Sequence, residues 1–199
     1  MKRRLFLAIG ASLGLVTATI TPVEKVRADD DDDTPMQFLS KKSKDLTPLV
    51  DELTKYPKCP YCGMSRKDYH FSRHLIHYSD DRVDGTCSIH CAAISLSLNL
   101  DREPKAIYAP DNSSEETIKP LINAETATYV IGGNFKAVMT RKPKTSFASE
   151  ISAEAAKGEG ELADFEKTLA VTYQDMADDT KLIRTRRDER RRHSISPSS

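Results

Sequence analysis

Residues 86–100, TCSIHCAAISLSLNL, decide the fold. Thr86 or Ser88 can cap a helix start, and Ile89, Ala92, Ala93, Leu96 and Leu100 then fall on one face. Before this helix, Tyr69 to Tyr78 alternates aromatic or branched residues with polar ones, as a half-buried strand does. SDDRVDG (79–85) is turn-rich, with Arg82-Val83 opening a second strand, and KAIYA (105–109) reads as a third. The order is strand, strand, helix, strand.

The order then repeats. ATYVIGG (127–133) reads as a strand, KAVMTRKPKTSFAS (136–149) as an extended segment interrupted at Pro143, ISAEAAK (151–157) as a helix and GELADF (160–165) as a strand. EKTLAVTYQDMADDTKLI (166–183) adds a helix. The expected fold class is α+β: two small ββαβ-type halves, residues 46–110 and 111–183, the second carrying the extra helix, with disordered tails at both ends. LTPLVDEL (46–53) has the spacing of a short helix.

The ends read differently. Lys2, Arg3 and Arg4 precede an apolar run from Leu5 to Ile20, and Val26-Arg27-Ala28 offers a cleavage site, so residues 1–28 read as a signal peptide. The mature chain is then expected in the periplasm or secreted. It would carry no membrane span and, with no cysteine near the cleavage site, no lipid anchor. Residues 29–45 open with five aspartates and build no core, so a disordered acidic leader is expected; 184–199 read as a basic disordered tail. The formal net charge is zero, but residues 1–28 hold five basic residues against Glu24, leaving the remainder acidic by about four charges. A nucleic-acid binder is expected to be basic, so this balance counts against one.

Four cysteines form two pairs, Cys59-x-x-Cys62 and Cys87-x-x-x-Cys91. The first lies in CPYCGM (59–64), where Gly63 supplies a turn that can fold both thiols toward one point. The second is spaced i, i+4, on one face of the helix start, where the positive end favours thiolate. Four chemistries compete: structural disulfides, a thiol–disulfide oxidoreductase using Cys59 and Cys62, a zinc site, and a Cu(I) site. Only the last makes use of the Met64 thioether. On a strand, His70 and His74 would share a face but lie roughly 13 Å apart, too far to chelate one ion. His77 points the other way and His90 faces away from the cysteine stripe.

From about Tyr56 to Gln174 the chain resembles the NosL family, accessory proteins of nitrous oxide reductase. The resemblance rests on CPYCGM (59–64), TYVIGG (128–133), VMT around Met139, and SFAS (146–149) followed by a helix. It implies an exported Cu(I)-binding chaperone, not an enzyme, that delivers copper to a recipient cuproprotein or its assembly complex. It also implies halves similar to the organomercurial lyase fold. By matching positions, Cys59, Cys62 and Met64 form the metal motif and Met139 is the methionine of the second half. Cys87 and Cys91 are additional to the family pattern. We expect these two pairs to lie close enough to share one ion. The metal-ligating set is therefore Cys59, Cys62, Met64, Cys87, Cys91 and Met139, for Cu(I) or alternatively zinc.

Overall fold

A computed structural model of the chain describes residues 43–100 and 102–195. The signal peptide and most of the acidic leader expected above lie outside these residues. The described chain is α+β, with two antiparallel sheets and four helices. No helix among the described residues is long and apolar enough to cross a membrane.

The first half comprises β1 (His74–Tyr78), β2 (Val83–Thr86), the helix α2 (Ile89–Leu98) and β3 (Pro104–Pro110), preceded by α1 (Glu52–Lys55) and followed by β4 (Leu121–Asn123). β1 is central: β2 returns along one edge through a tight turn, and β3 pairs antiparallel along the other after the helix. The second half repeats this plan. β5 (Thr128–Ile131) is central, β6 (Lys144–Phe147) pairs on one side, α3 (Glu150–Ala156) follows, and β7 (Glu161–Ala163) closes the other side. The long helix α4 (Phe165–Ile195) is the last element among the described residues.

Every side chain of β1 is buried, including His74 and His77, because both faces of this strand are covered. Ile76 and Tyr78 enter the main core with Ile89, Ile107, Tyr129 and Phe165. Leu75 packs the opposite way, with Tyr56 and Val83. The main core takes residues from both halves. His74 stacks on Tyr129 across them. Its Nδ1–H donates to the Ser72 carbonyl at 2.9 Å, which leaves Nε2 to accept from the Tyr129 hydroxyl at 3.3 Å.

Several boundaries differ from the sequence reading. Residues 69–73 are not strand: Ser65 Oγ accepts from the Asp68 amide, and the Tyr69 carbonyl accepts from Ser72 and Arg73, winding the segment into turns. His70 and His74 therefore share no strand face. Residues 46–51 are not helix. Leu46, Leu49 and Val50 are exposed, so their spacing builds no buried stripe, and only Glu52–Lys55 is helical. The extended segment of the second half begins only after Pro143. β4 was not anticipated; three residues carry too short a pattern.

The expected disordered tail from Arg184 is also corrected. α4 continues to Ile195. Residues 184–195 contain no glycine or proline, and arginine and glutamate are good helix formers. A helix already nucleated on the core extends cheaply into such a sequence, and its terminal arginines complement the negative end of the dipole.

A buried ionic cluster ties the N-terminal segment to the first hairpin. Arg66, 0% exposed, pairs with Glu52 at 2.6 Å and donates to the carbonyls of Tyr56, His74 and Thr86 at 2.8, 3.2 and 3.2 Å. Arg73 Nε binds the other Glu52 oxygen at 2.8 Å. Gly85 is glycine because this guanidinium lies against it. A Cβ there would stand 2.8 Å from Arg66 Cζ and 2.7 Å from Tyr56 Cβ.

Gly85→Ala should therefore destabilise the fold by about 3 kcal/mol, measured by denaturant unfolding, whereas Gly63→Ala should cost less because its Cβ meets nothing and only the backbone is strained. A second expectation concerns pH. Burial pushes the His74 pKa down to about 4, and Arg66 and Arg73 add to the effect. The unfolded chain would bind a proton near pH 6.5 that the fold refuses. This contribution is intact above pH 6.5, and stability should fall as pH drops toward 4, by about 1.4 kcal/mol per unit. Thermal melts between pH 7 and 5, above the range where carboxylates titrate, should show this slope in the native chain and a shallower one in His74→Asn.

Candidate metal centre

The CPYCGM segment folds as a narrow loop closed on itself. Lys58 and Ser65 pair across its neck, the Cys59 amide donates to the Met64 carbonyl at 2.9 Å, and the Gly63 amide donates to the Cys59 carbonyl at 2.9 Å. Gly63 takes φ 75°, a left-handed conformation that a side chain resists. This turn aims the backbone amides of Tyr61 and Cys62 at the Cys59 sulfur.

The second pair arrives from the β1–β2 hairpin. Cys87 follows β2 directly and precedes Ser88, the N-cap of α2. It is thus outside the helix, not in its first turn as its spacing suggests, while Cys91 is inside. Ser72 Oγ donates to the Cys87 carbonyl at 2.8 Å, and Arg66 holds the adjacent Thr86 carbonyl. The two pairs converge: the four sulfurs all lie within 4.8 Å of one another. Cys62 and Cys87 sulfurs are 3.3 Å apart, Cys87 and Cys91 3.7 Å, and all four thiols are free of disulfides.

Cys59, Cys87 and Cys91 are buried, and Cys62 is exposed. Met64 packs on the cluster together with Tyr61 and Tyr69, and its sulfur lies 4.0 Å from that of Cys87. Met139 differs. It sits between β5 and β6 with φ 57°, 42% exposed. Its loop does reach the rim of the site, since Lys136 Nζ stands 5.5 Å from the centre of the Tyr69 ring. Of the six expected ligands, the four cysteines and Met64 come together here.

The histidines have other work. His70 Nδ1 accepts from the Lys119 amide, His77 Nε2 faces Asp81 at 3.3 Å, and His74 is core. His90, on α2 beside Cys91, is half-buried, and burial lowers its pKa.

Charge is unevenly shared among the sulfurs. Hydrogen bonds from the Cys87 and Cys91 thiols, then the Cys62 and Tyr61 amides, hold Cys59 far below the usual thiol range. Donation to Cys59, followed by burial, pushes Cys91 up and lifts Cys87 to about 12, although Cys91 in turn lowers Cys87. The proton is thus held most weakly at Cys59 and most firmly at Cys87 and Cys91. The buried Arg66 guanidinium is close enough to feel the Cys59 charge.

The donor set fits a soft or borderline metal ion. Four sulfurs around one ion at ~2.3 Å would be separated by roughly 3.8 Å, close to the distances found. Loading the ion would displace protons from Cys87 and Cys91, so binding must strengthen as pH rises.

Further side chains that secure this site carried no signal in the sequence reading. Tyr61 Oη donates to Asp84 Oδ2 at 2.5 Å, and Ser95 Oγ donates to the same oxygen at 2.7 Å. The CPYCGM loop is thereby fastened to both β2 and α2. Tyr61 could have been suspected from its place inside the motif. Arg66 could not, since a lone arginine defaults to the surface.

The family model for NosL matches residues 50–177, which hold both sheets, all four cysteines and the start of α4. The chain belongs to the NosL family. A solved structure, the copper chaperone NosL from Shewanella denitrificans, is 23% identical; the match covers 64% of this chain and 93% of that one, with a TM-score of 0.46. No curated protein matches.

In this family member the burial pattern makes one thiol reactive from outside. Iodoacetamide at neutral pH should modify Cys62 first, roughly tenfold or more faster than the three buried cysteines, as read by peptide mass spectrometry. Equal rates at all four positions would show that the cluster opens freely.

Proposed function

We propose that the chain is an exported metallochaperone that carries Cu(I) on the sulfur cluster and hands it to a recipient cuproenzyme in the periplasm. Its membership of the NosL family supports this reading and points to nitrous oxide reductase as the recipient. The observation that carries it is the asymmetry of the cluster. Three buried sulfurs stand beside one exposed sulfur, with a thioether at the edge.

Cu(I) is the cargo this donor set suits. Thiolate and thioether are both soft, and Cu(I) accepts two or three such ligands without needing a closed tetrahedron. Cys59, whose proton is held most weakly, offers the first bond. Cys87 and Cys91 offer further bonds as they lose their protons, and Met64 a weak one. Cys62 is the ligand a recipient can replace, because an incoming thiolate or imidazole can approach only from its side. Transfer then proceeds by exchange: a donor of the recipient joins the ion, Cys62 leaves, and the buried sulfurs follow. No bond is made or broken in a substrate, so no catalytic step is proposed.

A structural zinc site is the second reading, favoured by the near-tetrahedral spacing of four sulfurs. Anaerobic purification followed by metal analysis separates the two. Competition with a chromophoric Cu(I) chelator should show tight 1:1 binding. Cys59→Ser/Cys62→Ser should weaken it by roughly 100-fold or more, since 1.4 kcal/mol is already tenfold and two metal–sulfur bonds are lost. Cys62→Ser alone should slow Cu(I) exchange with a thiol acceptor more than it lowers affinity. Stoichiometric zinc that Cu(I) does not displace, together with loss of fold on chelation, would favour the structural role.

A further inference from the structure

The outer part of α4 carries a surface unrelated to the sulfur cluster. The helix is anchored on the body through Phe165, Thr168 and Thr172, which are buried. From Ile183 to His193 every residue is exposed. It holds Arg184, Arg186, Arg187, Arg190, Arg191 and Arg192 against Asp188 and Glu189.

The charges are not spread evenly around it. At about 100° per residue, Arg184, Arg186, Arg187, Arg190 and Arg191 fall within an arc of about 160°. Thr185, Asp188, Glu189 and Arg192 occupy the other side. Arg187 reaches across the edge to Asp188 at 2.9 Å, and both remain about half exposed. Near the middle of the arginine arc stands Ile183, 65% exposed.

We infer that this stripe, Ile183 with Arg184, Arg186, Arg187, Arg190 and Arg191, is a docking surface for an anionic phospholipid bilayer. Three features favour lipid over a folded acidic protein. The surface is the convex, exposed side of a helix, so it matches a plane whose headgroups can move to meet it. Arginine binds phosphate in a bidentate manner, and its long stem lets the helix lie at headgroup level. A protruding isoleucine between arginines suits a surface with charge outside and hydrocarbon beneath. The attraction is mainly electrostatic, so it should be reversible and sensitive to salt.

The test uses the mature chain from Asp29, without the apolar run Leu5 to Ile20, and sedimented vesicles of phosphatidylcholine alone or mixed with phosphatidylglycerol. Partition should be strong only with phosphatidylglycerol and should fall steeply between low salt and 0.5 M. Each arginine is worth roughly fivefold, so replacing Arg184, Arg186, Arg187, Arg190 and Arg191 with Gln should lower partition by more than 100-fold. Glutamine keeps helix propensity, and these residues support no core, so circular dichroism and the melting midpoint should not change. Ile183→Ser should lower partition a few-fold. Equal partition into both vesicle types, or none into phosphatidylglycerol even when Asp29 to Asp33 are all changed to Asn to remove competing carboxylates, overturns the inference. Retention on immobilised polyaspartate without vesicle binding also overturns it and assigns the stripe to an acidic protein.

Discussion

Arg66 is the residue on which the first half depends. Its guanidinium has no access to water, yet its donors are well matched by the Glu52 carboxylate and the carbonyls of Tyr56, His74 and Thr86. Those acceptors belong to the N-terminal segment, β1 and β2. A buried ion pair of this kind contributes little net stability compared with apolar packing, but removing one partner costs about 3–5 kcal/mol because the other charge is stranded. The pair therefore acts mainly on specificity. It brings the chain before the CPYCGM loop against the strand that delivers Cys87. Gly85 follows from this arrangement, since any side chain there would displace the guanidinium.

The sulfur cluster is the visible result of that placement. Its two halves are separated in sequence by a turn and a hairpin, and neither half alone could surround an ion. The loop contributes Cys59, whose neighbours pull its pKa down; the hairpin and helix contribute Cys87 and Cys91, whose pKa values are pushed up. Tyr61 and Asp84 clamp the loop at its outer edge, while Ser72 holds the Cys87 backbone. A site supported in this way is preorganised before the ion arrives, so little ordering remains to oppose binding.

Much of this was legible in the sequence because periodicity and spacing carry it. The helix after Cys87, the strands around it and the repeat of the plan in the second half follow from local pattern, and the convergence of the cysteine pairs follows from the compactness of strand, turn, strand, helix. What was not legible depends on contacts between distant residues. Tyr69 to Arg73 alternates like a strand, but Ser65 captures its start as a turn. Leu46, Leu49 and Val50 have helical spacing and no surface to bury against. Cys87 looks helical until Ser88 is seen to begin the helix. Met139 matches a family position, yet no local rule could say whether its loop would close over the cysteines. The arginines after Ile183 read as a disordered block because composition does not reveal that a folded core upstream has already paid for helix nucleation.

α4 therefore contains two regimes of stability within one continuous element. Its first turns share the global unfolding free energy, since Phe165, Thr168 and Thr172 unfold only with the core. Its last turns are held by backbone hydrogen bonds that water can contest directly. They should fray from the C-terminal end on heating, well before the sheets open, so amide exchange along this helix would grade smoothly from the slowest in the molecule to nearly unprotected. Loss of helical signal in a thermal scan would then begin without any loss of tertiary structure. A single melting midpoint taken from that signal would understate how firmly the cysteine-bearing half is folded.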